Sequence, residues 1–378
     1  MTKFLFKVLL YALPVIIYVI YGEQLLYKYR ENVSYKTVVQ KQLNSDSELY
    51  FSRNVFSTPV ARYKMEMIKI MKPEIITLGV SVVLQYRKFF FHPYEKSFYN
   101  GGFAINNVYD LASFVDLIRY KQIHRPKLII FGFDASWIKQ KYYNDNYDHV
   151  SFSYKDEAWN LNYHIDAIQQ IVHRSFDHQP PFDKYTYNGY GVAGKMGIGY
   201  RKDGSYCSRD DIQAYLKNRY YKDKNDYKGK LQKNIFIYNN PMRVDEKKLA
   251  LLLKSLKEIK ELGIDLLIYV PPVANDFYAT AKTNKTFRQI FPTYMQIQNQ
   301  LIKQGYHVIP FSTPQQFGLT DDYMLDGIHA GEVFVSILFY NYMADNHMKF
   351  KNLPNLNMSY LKGIINGKRL CPLAFGEE

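Results

Sequence analysis

Two short stretches of this chain carry residue types that do chemistry together. Asp326-Gly327-Ile328-His329 stands near the C-terminus, and Gly79-Val80-Ser81 follows the apolar run Glu74-Ile75-Ile76-Thr77-Leu78. A serine hydroxyl is a poor nucleophile until a base takes its proton. A neutral imidazole serves as that base only when a partner fixes its tautomer and stabilises its charged form. Asp-x-x-His supplies both parts locally, because at a helical turn residues three apart lie on one side. The expected chemistry is that of a serine hydrolase or acyltransferase, with Ser81 as nucleophile, His329 as base and Asp326 as its orienter.

Such residues must be held by a scaffold, and from Pro73 the pattern is short continuous apolar runs separated by segments of helical period. That is how buried parallel strands and their crossover helices read. Strands are expected over Ile75–Val80, Leu128–Phe133, Leu266–Val270 and His307–Pro310. Helices are expected over Asn106–Tyr120, Asp245–Leu262, Thr286–Lys303 and Glu332–Ala344, with Asp245 as an N-cap and Gly263 as a stop. The fold class is therefore α/β with a mainly parallel sheet. Ser81 falls where the first strand is expected to meet its helix, so free N–H groups at that helix N-terminus could stabilise an oxyanion; a serine at that place also simply caps the helix. The stretch from about 179 to 226, rich in Gly, Tyr, Lys and Asp, reads as an insertion, of the kind that borders the carboxyl ends of strands.

Residues 1–22 set the compartment. Phe4 to Tyr21 is nearly all apolar, interrupted by Lys7 and Pro14, and 18 helical residues span about 27 Å, enough for a hydrocarbon core. The segment reads as one membrane anchor, since Val19-Ile20-Tyr21-Gly22-Glu23 offers no small-x-small cleavage site. Residues 23–72 form a membrane-proximal connector, 73–348 the α/β domain and 349–378 a C-terminal tail. The 378 residues carry a formal charge of +14, with 36 Tyr and 25 Phe. That balance suits an acidic polymer or an anionic surface, and the many amphipathic rings suit lipid or sugar. Lys and Arg are scattered without a dense run, which argues against nucleic acid. The 2 Cys, Cys207 and Cys371, make no zinc-ribbon or redox motif. No metal or cofactor is called for. His92 and His124 read as packing or surface histidines.

Four segments, in order, resemble the SGNH, or GDSL-like, hydrolase family, in its membrane-anchored extracytoplasmic branch that handles acyl groups on cell-surface polymers. Leu78-Gly79-Val80-Ser81 resembles the nucleophile block. Phe98-Tyr99-Asn100-Gly101-Gly102 resembles the loop whose backbone N–H helps form the oxyanion hole. Ile129 to Asp134 resembles a strand end bearing a polar side chain in the site, and Asp326 to His329 the acid–base block. The similarity covers about residues 73 to 345. It implies a three-layer fold with a flavodoxin-like parallel sheet and helices on both faces. It also implies an oxyanion hole built from Ser81, Gly102 and Asn106.

Two departures stand out. The third block normally ends in Asn, whose amide donates to the oxyanion, whereas Asp134 donates nothing when ionised. It could instead be neutral, point elsewhere or bind an acceptor hydroxyl. The donor glycine in many relatives also lies several residues further on, nearer Ala104, Ile105 or Asn106 than Gly102. Trp137, just after the third block, is a candidate to stack on a sugar ring or a core residue. The expected function is an extracytoplasmic esterase or O-acyltransferase on exopolysaccharide, lipopolysaccharide or teichoic acid, partnered by a membrane-bound O-acyltransferase. The alternative is a noncatalytic protein that binds polysaccharide or scaffolds such an enzyme.

Overall fold

A computed structural model describes residues 2–31, 33–51, 60–140, 169, 187–224, 226–233, 243–285 and 287–376. The chain forms two compact units, 1–59 with 152–202, and 60–151 with 203–378. The first boundary therefore falls within the expected connector. The expected 179–226 insertion is divided between the units, and its residues 179–186 and 225 lie outside the described ones.

In the first unit, α1 (Thr2–Tyr29) runs past the expected end of the anchor at residue 22. Its stretch Phe6–Lys28 is long and apolar enough to cross a membrane, with a mean hydropathy of 1.7 and only 6% of its apolar window buried. Helix α2 (Tyr35–Leu43) is capped by Ser34, whose hydroxyl accepts the Thr37 N–H. Strand β1 (Tyr50–Phe51) pairs in parallel with β5 (Gly189–Tyr190) and antiparallel with β6 (Gly199–Tyr200), beside α5 (Gly191–Lys195). Buried Gln42 ties them together by donating to Leu49 O and Tyr200 O at 2.7 and 3.1 Å.

The second unit holds a five-stranded sheet of β2 (Ile75–Gly79), β3 (Phe98–Gly102), β4 (Leu128–Gly132), β8 (Asp265–Tyr269) and β9 (His307–Ile309). Its spatial order is β3-β2-β4-β8-β9, with every pair parallel. Numbered within the sheet this is 2-1-3-4-5, a doubly wound order whose connections change direction beside its first strand. In sheets of this order, ligands generally bind outside the carboxyl ends of the strands at such a point. The four expected strands are present, each within a residue or two of its expected bounds.

Strand β3 occupies a segment expected to be a loop, because Asn100, Gly101 and Gly102 are poor strand formers. It forms because tertiary contacts satisfy it. Asn100 Nδ2 donates to Val83 O and Tyr86 O at 2.7 and 3.0 Å. On the edge, the amine of Lys64, from α3 (Val60–Met71), donates to Asn100 O at 2.9 Å and also to Gly204 O. Lys64 is fully buried, and burial pushes its amine well below the ordinary range.

The crossover helices follow their periodicity. Helix α4 (Val108–Arg119) is capped by Asn107, and α8 (Glu246–Glu261) by Asp245, which accepts the N–H groups of Lys247 and Lys248. Helix α10 (Ile290–Lys303) begins four residues after the expected start, Thr286, which lies outside the described residues. Before it comes α9 (Asn275–Thr283), and after β9 comes α11 (Glu332–Asp345). The 203–232 segment carries β7 (Tyr206–Cys207), α6 (Arg209–Asn218) and α7 (Tyr227–Gln232). The C-terminal tail is packed: α12 (Met358–Asn366) lies against α11, and Cys371, Leu373 and Ala374 are buried with Ile212, Leu216 and Leu325. Cys207 and Cys371 are both buried, and no disulfide joins them.

Candidate active site

Ser81 opens not the expected helix but a three-residue 3₁₀ turn, Ser81–Val83, directly after β2. The chain leaves the strand through Gly79, whose φ of +146° is closed to other residues, and a side chain there would also meet Gly132 O at 3.1 Å. Gly132 in turn makes room for Val83, whose methyl would lie 2.3 Å from an added Cβ. Two strand-terminal glycines thus let the serine turn sit close on the sheet. The Ser81 and Val82 N–H groups stand at the head of this turn, where no intrahelical acceptor exists.

The acid–base pair comes from the loop before α11, and its geometry differs from expectation. Residues 326–329 are not helical. Leu325 N–H donates to His329 O at 2.8 Å, and Asp326 Oδ1 accepts the N–H groups of Ile328 and His329, each at 3.0 Å. The carboxylate thus folds its own loop and faces the imidazole, with His329 Nδ1 at 2.8 and 2.9 Å from its two oxygens. His329 Nε2 lies 2.7 Å from Ser81 Oγ. Asp326 is only 4% exposed, so little solvent screens the contact.

With Nδ1–H donating to Asp326, Nε2 is left as an acceptor for the serine proton. The arrangement can activate an alcohol and return the proton to a leaving group. Ser81, His329 and Asp326 are the predicted residues that the fold brings together.

The other predicted residues fare differently. Gly102 N–H is committed to Asn100 Oδ1 at 2.9 Å, a side chain that reaches back over its own strand, so the expected oxyanion donor is spent. The N–H groups of Phe103 and Ala104 are likewise given to Gly79 O and Gly101 O. Asn106 donates its N–H to Asp110 at 2.7 Å, and its side-chain amide makes a long 3.4 Å contact to Phe103 O.

Asp134 caps the turn Ala135–Ile138, accepting the Ser136 N–H at 2.9 Å and the Tyr294 hydroxyl at 3.3 Å. Its expected place as a substrate contact is thus taken by a local structural task, as short side-chain acceptors commonly cap turns. Trp137 is wholly buried against Phe131, so it is a core residue and not a sugar platform. Among the described residues no cluster of metal-ligating side chains occurs.

Sequence reading missed the groups that surround the acid–base loop. The Tyr227 ring lies 6.0 Å from the His329 ring, and Asp223 accepts the Gly327 N–H at 3.3 Å. Asp223 sits in the polar insertion and Tyr227 directly after its expected end, where no periodicity marks them. Met324 and Leu325 also wall a cavity of about 280 Å³ lined by Asp210, Asp211, Tyr221 and Lys224. Burial, and then the neighbouring Asp210 charge, push the Asp211 carboxyl up to about 6. Burial also raises the Tyr221 hydroxyl, ahead of the carboxylates Asp223, Asp276 and Asp326.

No family model matches this chain, and no curated protein matches it either.

Proposed function

We propose that this protein is a membrane-anchored serine acyl-ester enzyme of the SGNH type, working outside the cytoplasmic membrane on acyl groups of a cell-envelope polysaccharide. Ser81 attacks the acyl carbonyl while His329 takes its proton, Asp326 orients His329, and the Ser81 N–H contributes to the oxyanion hole. Water as acceptor gives hydrolysis; a sugar hydroxyl gives O-acyl transfer, with a membrane-bound O-acyltransferase as partner. The observation that carries this reading is the unbroken relay from Asp326 through His329 to Ser81, with contacts of 2.7 to 2.9 Å. The 2-1-3-4-5 strand order and the serine at the end of its first strand support the three-layer fold with helices on both faces.

One observation favours a noncatalytic binding or scaffold role instead: the commitment of Gly102 N–H to Asn100 removes the second expected oxyanion donor. The test is turnover of a small acetyl ester by the full chain in detergent micelles, beside Ser81→Ala and His329→Ala. Turnover lost in both variants upholds the enzyme. Absence of turnover in the parent, with no labelling of Ser81 by a fluorophosphonate, leaves the scaffold role.

A further inference from the structure

Ser81 and His329 are separated by 248 residues of chain, so their 2.7 Å contact depends on what joins the segments that follow each. Arg87 stands six residues after Ser81, and Glu332 three after His329, as the first residue of α11. Arg87 Nη1 donates to Glu332 Oε1 at 2.8 Å. The two side chains are 7% and 2% exposed. On its other side Arg87 Nε lies 3.5 Å from Asp203 Oδ2. Asp203 accepts the N–H groups of Lys88 and Ser205 as well as the Ser205 hydroxyl, and its carbonyl accepts the Asn100 N–H. The guanidinium therefore links the serine turn, the acid–base loop and the edge strand.

A sealed ion pair adds little net stability, because desolvating both ions offsets most of their attraction. It is selective about register, since a shift leaves one ion uncompensated. Tyr86 and Phe91 pack on Phe339 of α11 beside it, at 6.1 and 5.5 Å between centroids, and rings tolerate sliding better than a charged hydrogen bond does. We propose that Arg87 and Glu332 are a positioning pair that holds the Ser81 turn and the His329 loop in register. This inference rests on the acyl-transfer reading of the site.

The test is labelling of Ser81 in the full chain by a fluorophosphonate. Ser81 Oγ bonds to phosphorus, fluoride leaves, and the serine proton passes to His329. Rate and final extent are read separately for the parent, for Arg87→Met with Glu332→Leu, and for Glu332→Gln, which keeps shape and removes charge. The pair predicts a maximal labelling rate about 10- to 100-fold lower in the double variant, as expected for a misplaced reacting group. The final extent and the half-saturating probe concentration should stay at parental values, and Glu332→Gln should fall between the two. Parental rates in both variants overturn the proposal. So does a parental rate with a reduced final extent, which marks a purely structural role. A parent that is never labelled fails the acyl-transfer reading and takes the pair with it.

Discussion

Replacing Asp326 by Asn separates the two tasks that this carboxylate performs. Oδ1 accepts two backbone N–H groups at 3.0 Å, and both oxygens face His329 Nδ1 at 2.8 and 2.9 Å. Asn keeps a carbonyl oxygen for the N–H groups, so the loop should persist. Those two bonds change from charged to neutral acceptors, about 1–2 kcal/mol in total. For a unit of this size that lowers Tm by a few degrees. The other face now presents NH₂ to Nδ1. Nδ1 must then accept, the ring proton moves to Nε2, and Nε2 meets Ser81 Oγ as a donor instead of a base.

The expected loss in kcat on a small acetyl ester is on the order of 10⁴-fold, with KM little changed. Asp326→Ala should be comparably slow but less stable, because the half-buried N–H groups of Ile328 and His329 lose their acceptor. The assay is ester turnover with fluorophosphonate labelling of the full chain, alongside thermal melts. An Asp326→Asn variant that turns over ester within about tenfold of the parent would refute the relay as the source of activity. A collapse of Tm by tens of degrees would refute the claim that the loop survives on neutral acceptors.

Gly132→Ala should cost about 1–3 kcal/mol in chemical denaturation by driving Cβ into Val83, and should slow Ser81 labelling; adding Val83→Ala should restore the rate. Asp211→Asn tests the half-exposed charged cluster beside the acid–base loop. A carboxyl raised to about 6 in the folded state opposes folding when ionised, and its Lys224 contact at 3.0 Å does not outweigh burial. The Asn variant should therefore be more stable by about 2–3 kcal/mol at pH 8, with the gain fading between about pH 6 and 4 as Asp protonates in both states. Denaturation at both ends of that range checks the sign. Trp137→Phe should cost about 1–3 kcal/mol of stability yet leave ester kinetics unchanged with an oligosaccharide acceptor present, as its burial requires.

Much of the scaffold was legible because it rests on local rules. Ile75–Leu78, Leu128–Phe131 and Leu266–Ile268 are continuous apolar runs, and only burial on both faces suits them. Asp245 and Gly263 bracket a helix by capping chemistry that needs no distant partner. Ser81, His329 and Asp326 were legible by residue type, and Asp326 reaches His329 because so short a loop separates them. Strand β3 was not legible, since Asn100 and two glycines disfavour a strand until Val83 O, Tyr86 O and Lys64 satisfy Asn100 from elsewhere in the chain.

Side-chain type and short-range spacing were enough to dictate the parallel strands, the apolar N-terminal helix and the kind of chemistry that a serine with Asp-x-x-His can support. Long-range packing did the rest. It carried His329 to within 2.7 Å of Ser81, gave the Gly102 N–H to Asn100 and sank Trp137 into the core. Hydrogen bonding and burial at these positions are settled by competition among groups distant in the chain, and such competition leaves no mark in local spacing.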